Sequence, residues 1–386
     1  MRDTFLPFHV PHIENEEIES VVDTLRSGWL SAGPKTHVFE SEFANYLGAD
    51  HAIAVNSCTA ALHLALDAVG ISRGDEVLVP TMTFAATAAV VTYCGAKPVL
   101  VDCEPDTLNI DAEQIPQAVT SKTRAVIPVH FAGQPCDMTS ITEIAAQRNW
   151  AVIEDAAHAL PAYYRKAMAG TVGDIGCFSF YATKTITTGE GGMIVTDHAG
   201  YAERMRLMRS HGMAKDAWNR YSEHGSWYYD IVLPGYKYNM NDIAAALGIA
   251  QLRKCKRLCQ IRTRYAEKYD EGFADLKEIV TPVTHPGTQH AWHLYVIQLQ
   301  LDRLRVDRNE FIERLKQRNI GTGVHFIPLH LHPYYRDAFG YRAEQFPSAT
   351  DAYRRIISLP IYPKMSEDDV QFVIDGVRAV VRESRR

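Results

Sequence analysis

The chain has 386 residues, 46% hydrophobic and 22% charged, with a net charge of −6. These values allow a sizeable core and argue against extended disorder. With no block of like charges they also give no electrostatic case for nucleic acid as a partner. The length predicts two domains, or a large one with a smaller one appended.

The N-terminal residues Met1 to Phe8 lack an apolar signal core. The longest weakly polar stretch, around Ala85 to Ala96, is too short to span a bilayer, so no membrane partner is expected. Seven cysteines, an odd number without a Cys-x-x-Cys pair, predict reduced thiols in a cytoplasmic protein.

In chain order, Ile53-Ala54-Val55 reads as a strand and Thr59 to Val69 as the helix after it. Glu76 to Val79 and a small-residue helix from about Phe84 to Cys94 repeat the pattern. Next come a strand at Pro98 to Asp102 and a helix near Asp111 to Val119. Strands at Arg124 to Val129 and Ala151 to Glu154 bracket a helix from about Met138 to Asn149. This alternation predicts an α/β fold with a mainly parallel sheet covered by helices. Such sheets hold ligands at the carboxyl ends of their strands. Asp102, His130 and Asp155 each follow a strand and so belong to one rim.

The character changes after Asn241. A helical pattern from Ile243 to Tyr269, rich in Arg and Lys, leads out of a large domain at 1–245 into a smaller C-terminal one at 246–386. The second unit reads as α+β. Its elements are a strand at His293 to Leu299, a helix at Asp307 to Asn319 and a strand at about Thr322 to Phe326. A helix at Pro347 to Ile357 and a terminal helix from Ser366 complete it.

Two segments carry chemistry. Gly176 to Phe180 is an apolar strand feeding a Thr/Gly-rich loop that holds one lysine, Lys184, and no acid before Glu190. Ala151-Val152-Ile153-Glu154-Asp155 is a strand ending in carboxylates. A lysine in an apolar, Gly-lined loop loses its proton readily and attacks aldehydes. An acidic residue at a strand end can keep a pyridine nitrogen protonated, the arrangement that pyridoxal phosphate (PLP) requires. Lys184 and Asp155 together predict a PLP enzyme. Asn56-Ser57-Cys58-Thr59 joins a strand to a helix start and offers N–H groups and hydroxyls to a phosphate. The same residues also suit an ordinary helix cap. Ser179 could add a hydroxyl, and Phe84, at another helix start, could stack on a flat ring. The His325 to His332 stretch fits no usual zinc spacing and reads as a substrate-facing loop, with no metal expected.

Taken together the chain resembles the PLP-dependent sugar aminotransferases of the DegT/DnrJ/EryC1/StrS family, from about His9 to Val380. The resemblance is carried by Ser57 to Leu62, Glu154 to His158, Phe178 through Lys184 to Gly192, and Pro234 to Met240. It implies the aspartate-aminotransferase fold (PLP fold type I) and Lys184 as the residue that bonds the cofactor and shuttles the proton. It also implies Asp155 on the pyridine nitrogen, Phe84 over the ring and Cys58, Thr59 and Ser179 at the phosphate. His158, where many relatives have Gln, falls near the ring hydroxyl. Lys237 replaces an Asn found in many relatives. In this fold its segment reaches the neighbouring subunit's phosphate, which implies a homodimer with shared sites.

Ser210 to Met213, with Trp218, Arg220, Tyr221 and Trp227 to Tyr229, looks like the branch that aminates C4 of nucleotide-linked 4-ketosugars. The expected substrates are therefore L-glutamate and a UDP-4-ketosugar, for surface polysaccharide or amino-sugar synthesis. Trp29, Arg220 and His325 are expected at the substrate. Amination at C3 or of a cyclitol stays open, as does a regulator that has lost its chemistry. Intact Lys184 and Asp155 argue against the regulator.

Overall fold

The computed structural model describes residues 4–214 and 228–386. A central sheet is built from β1 (His51–Val55), β2 (Glu76–Pro80), β3 (Lys97–Val101), β4 (Thr123–Val126) and β5 (Ala151–Asp155). A two-rung hairpin, β6 (Tyr163–Tyr164) and β7 (Ala167–Met168), precedes its last members, β8 (Ile175–Ser179) and β9 (Gly192–Thr196). The strand order is β1-β9-β8-β5-β4-β2-β3. β9 runs antiparallel to both β1 and β8, and the other four neighbouring pairs are parallel. Apart from edge residues these strands are buried along their length, as expected of a sheet covered on both faces.

The alternation of side chains along a strand divides the core. Ile53 and Val55 of β1 join the cluster under α3 (Cys58–Ala68) and α4 (Ala85–Tyr93). Ala52 and Ala54 join the opposite cluster with Phe39 and Phe43 of α2 (Pro34–Leu47), which follows α1 (Asn15–Ser27). Three further helices complete this half: α5 (Ile115–Ala118), α6 (Met138–Ala146) and α7 (Ala199–Met208).

The long helix expected after Asn241 is present as α8 (Asp242–Phe273), capped by the Asn241 side chain accepting from the Ala244 N–H. Its first half packs Ala245, Ile249 and Leu252 against the sheet cluster; its second half packs Tyr265, Tyr269 and Phe273 into a separate C-terminal core. The expected division at 245/246 thus falls inside one helix. The C-terminal part holds a three-stranded sheet of β10 (Ile279–Val280), β12 (Tyr295–Leu299) and β13 (Ile356–Leu359), while β11 (Thr288–Gln289) pairs with β6. Around it lie α9 (Arg308–Lys316), α10 (Pro333–Phe339), α11 (Pro347–Arg355) and α12 (Glu367–Ser384).

Two expected elements differ. The strand at 322–326 reduces to one bridge between Gly323 and Ser358. Beyond it Val324 and Phe326 turn away to pack on the cluster under α3 and α4, which takes the backbone off the edge of β13. The helix at 111–119 is a 3₁₀ turn followed by four α residues, because Pro116 tolerates only a first-turn position.

Candidate active site

The carboxyl end of β5 places two adjacent acids on opposite faces. Glu154 accepts N–H bonds from Gly170, Val172 and Gly173 at 2.6 to 2.7 Å and pairs with His130 at 2.8 Å, so it is a structural anchor. Asp155 accepts from Thr87 Oγ1 at 2.9 Å and from the Ala157 N–H at 3.1 Å. Burial raises the pKa of Asp155, while Thr87, Ala157 and Lys184 pull it back down. Of the three rim residues named from the sequence, only Asp155 is free for chemistry. Asp102 caps α11 through the N–H groups of Ser348 and Ala349 at 2.8 and 2.9 Å, and His130 is held by Glu154.

Lys184 lies on the turn after β8, where its own N–H donates to Tyr181 O at 2.9 Å. Burial pulls its pKa from 10.5 to about 8, although Cys58 and Asp155 oppose the shift. An ammonium kept from water in this way is closer to a nucleophilic amine than any solvated lysine. Burial, then the positive charge of Lys184, likewise lowers His158 and His325. His293 and His9 are lowered by burial, by Lys184 and by Arg262. Four imidazoles from four separate segments are therefore held neutral, mainly by burial, and all feel the charge of one amine.

Of the two roles left open by the sequence for the helix start at Ser57, the cap is the one seen directly. Ser57 Oγ caps α3 by accepting from the Ala60 N–H at 3.1 Å. Cys58 and Thr59, the first two residues of that helix, stay partly exposed beside the cleft. Cys58 is a neutral thiol, its pKa held well above 9 by burial and by Asp155. Gly192 is required here: a Cβ on it would lie 2.6 to 2.7 Å from the backbone of Ser57 and Cys58. Ser179, at the end of β8, is partly exposed and accepts from the Tyr181 N–H at 3.3 Å. Lys237 is exposed, and its carbonyl accepts from Asn56 Nδ2 at 3.3 Å, so its segment runs beside the same turn of its own chain.

Phe84 is 61% exposed at the start of α4, an unusual position for a phenyl ring, with Phe326 at 6.0 Å between centroids. His158 is buried, and its Nδ1 accepts from the Ala132 N–H at 3.2 Å. Its proton is therefore on Nε2, which is left as a donor. His293 is 4.4 Å away, ring to ring, and its own Nδ1 has no hydrogen-bond partner among the described residues. His325 bonds Ser358 Oγ at 2.8 Å through Nδ1 and stacks on Phe8 at 5.4 Å.

Trp29 is engaged within its own loop, with Nε1 donating to Ala32 O at 3.3 Å and its ring over Gly33. Arg220 lies outside the described residues. Thr87, His9 and His293 were not identified from the sequence. Thr87 is one of several small residues in a small-residue helix, and the two histidines sit in segments with no motif.

These groups suit PLP. A buried carboxylate can face a pyridine nitrogen, a poorly solvated lysine can face an aldehyde, and an exposed aromatic ring can cover a flat heterocycle. A helix start with spare N–H groups and a hydroxyl can receive a phosphate.

Comparison with known proteins agrees. The DegT/DnrJ/EryC1/StrS aminotransferase family matches residues 11–378. The chain is 51% identical to the spore coat polysaccharide biosynthesis protein SpsC of Bacillus subtilis, over 99% of this chain and 98% of that one. It is 52% identical to an uncharacterised protein of Methanocaldococcus jannaschii, over the full length of both. Among solved structures, the putative sugar aminotransferase Spr1654 from Streptococcus pneumoniae in its PMP form superposes with a TM-score of 0.92. It shares 34% identity, over 98% of this chain and 99% of that one. A PLP form of the same protein gives a TM-score of 0.91.

Proposed function

Since the chain belongs to the DegT/DnrJ/EryC1/StrS aminotransferase family, a PLP-dependent group, we propose that it moves an amino group from L-glutamate to C4 of a nucleotide-linked ketosugar, with UDP as the nucleotide. The observation that carries the catalytic part is the electrostatic coupling of Lys184 to Asp155, at the end of β5, and to Cys58, at the start of α3. The aromatic and polar segments around Ser210 to Met213 and Tyr228-Tyr229, with Trp29 and Arg220, support the sugar nucleotide. The likeness to a polysaccharide biosynthesis protein supports a role in surface polysaccharide. No helix among the described residues is long and apolar enough to cross a membrane.

When bound, PLP supplies the conjugated system that accepts electrons as a C–H bond next to the amine ionises. Lys184 would hold the cofactor through its amine and, as a free base, would take and return the proton of that C–H bond. Its pKa of about 8 leaves a useful fraction as free amine near neutrality. Asp155, fixed by Thr87 and the Ala157 N–H, keeps the ring nitrogen protonated. His158 presents an Nε2–H donor to the ring oxygen. Phe84 shields one face of the ring from water. Cys58, Thr59 and Ser179 take the phosphate, and Lys237 of a second subunit adds a positive charge to it in a homodimer. His325 faces the sugar.

The test is to give the PLP-loaded enzyme L-glutamate and follow loss of its yellow colour. A panel of nucleotide-linked 4-ketosugars is then offered, and the product is identified by NMR. A 4-amino sugar nucleotide is expected; amination at C3, or of a cyclitol only, would reject the substrate assignment. A colourless protein that takes up no PLP would reject the enzyme.

A further inference from the structure

The N-terminal segment of residues 5–12 has no part in the chemistry above, yet Phe8 and His9 touch His325 and the turn that carries Lys184. Its main chain is fastened to the C-terminal half: the Leu6 N–H donates to Asn319 O, and the Gly321 N–H to Leu6 O, each at 2.8 Å. Leu6 is buried in the C-terminal core. Two residues on, Phe8 stacks on His325 at 5.4 Å with 25° between the rings. His9 then crosses to the other half, and its Nε2 lies 3.1 Å from Ala182 O, two residues before Lys184. A carbonyl can only accept, so the imidazole proton is on Nε2.

We propose that His9 is a positioning residue for Lys184: through Ala182 it holds the turn that presents the amine, and through Phe8 it ties that turn to His325. The proposal rests on the reading of Lys184 as the cofactor lysine. The groups facing His9 are Arg262 of α8, Lys184 itself and the Tyr362 ring at 5.6 Å. Those facing Lys184 are Cys58, Asp155 and the four histidines. Arg262 is buried, donates to the carbonyls of Trp292, His293 and Ile361, and with Lys184 disfavours a charge on His9. The tether is thus a neutral hydrogen bond from a residue held at both ends, and its role is to keep the amine turned away from water.

The test uses cofactor-free protein and acetic anhydride, with acetylation of Lys184 measured by mass spectrometry across pH. His9→Phe keeps the ring and its burial but loses the N–H donor. It should let water reach the turn and raise the labelling midpoint by about one pH unit, giving about five-fold less label at pH ~8. His9→Gln restores an N–H donor and should restore the parental midpoint. Phe8→Leu, which spares His9 but loosens its seat, should give a smaller rise and serves if His9→Phe fails to fold. A parental midpoint in folded His9→Phe, or in Phe8→Leu when that variant must stand in, would overturn the proposal. So would a shift that His9→Gln does not reverse. Borohydride fixation of PLP onto Lys184 in the parent enzyme checks the cofactor reading separately.

Discussion

At the scale of single residues, the site depends on two ionisable groups pushed toward neutrality by burial and held apart in role. Folding lowers the Lys184 pKa from 10.5 to about 8. Between those values the unfolded chain keeps a proton that the folded chain has lost, so stability rises with pH there and the full cost is felt below about 8. Lys184→Met should therefore end turnover and borohydride fixation yet raise the stability of cofactor-free protein by ~1–2 kcal/mol at neutral pH. Paired activity assays and thermal melts check both. A destabilised variant would mean that attraction to Asp155 outweighs burial. Asp155→Asn keeps the shape and the Thr87 contact but cannot hold a charged ring nitrogen. Its turnover should fall by ~10²–10⁴-fold while PLP still binds. Lys184 and Asp155 stood out in the sequence because of local patterns: Asp155 ends an apolar strand, and Lys184 is the one lysine in the loop after another. Thr87, which aims Asp155, was not, because nothing local separates it from its neighbours.

At the scale of elements, the turn proposed to receive the phosphate is a packing arrangement between β9 and the start of α3. Gly192 allows the two backbones to approach within the space a Cβ would fill. Gly192→Ala must push the Ser57-Cys58 turn outward. The expected loss is ~1–3 kcal/mol of stability together with weaker PLP affinity, measured by melting and by titration with the cofactor. Unchanged affinity would show that the turn does not contact the phosphate. Strand–turn–helix units of this kind were readable from sequence, since a Ser cap and a small-residue helix are local signals. The strand expected at 322–326 failed for a non-local reason. Val324 and Phe326 satisfy a strand pattern, but the core they join belongs to the other half of the chain, and packing there outweighs a second rung on β13.

At the scale of the whole molecule, buried ion pairs tie distant elements to the sheet. Glu40 of α2 accepts from the Ala54 N–H of β1 at 2.9 Å and pairs with Arg209, just beyond α7, which itself donates to Ala54 O. Burial alone would raise the pKa of Glu40; the Arg209 charge and the bonds from His37 and Ala54 outweigh it, bringing it down to about 2. A lowered carboxylate pKa gives stability that is present above about 4.5 and lost as the pH falls toward 2. Up to ~3 kcal/mol is at stake, and Glu40→Gln should flatten the acid limb of a melting profile across that window. An acid limb as steep as the parent's would place the titrating group elsewhere. The β/α alternation from β1 to β5, the mainly parallel sheet and the placing of Asp155 at a strand end and Lys184 in the loop after another strand were determined by the sequence itself, because each rests on spacing within a few residues. Only the tertiary structure decided that His9, His158, His293 and His325 all feel the charge of one amine, that Asp102 and His130 serve as anchors, and that the N-terminal segment reaches the turn before Lys184. Those outcomes depend on which apolar faces pack together over hundreds of residues, and no local pattern encodes that choice.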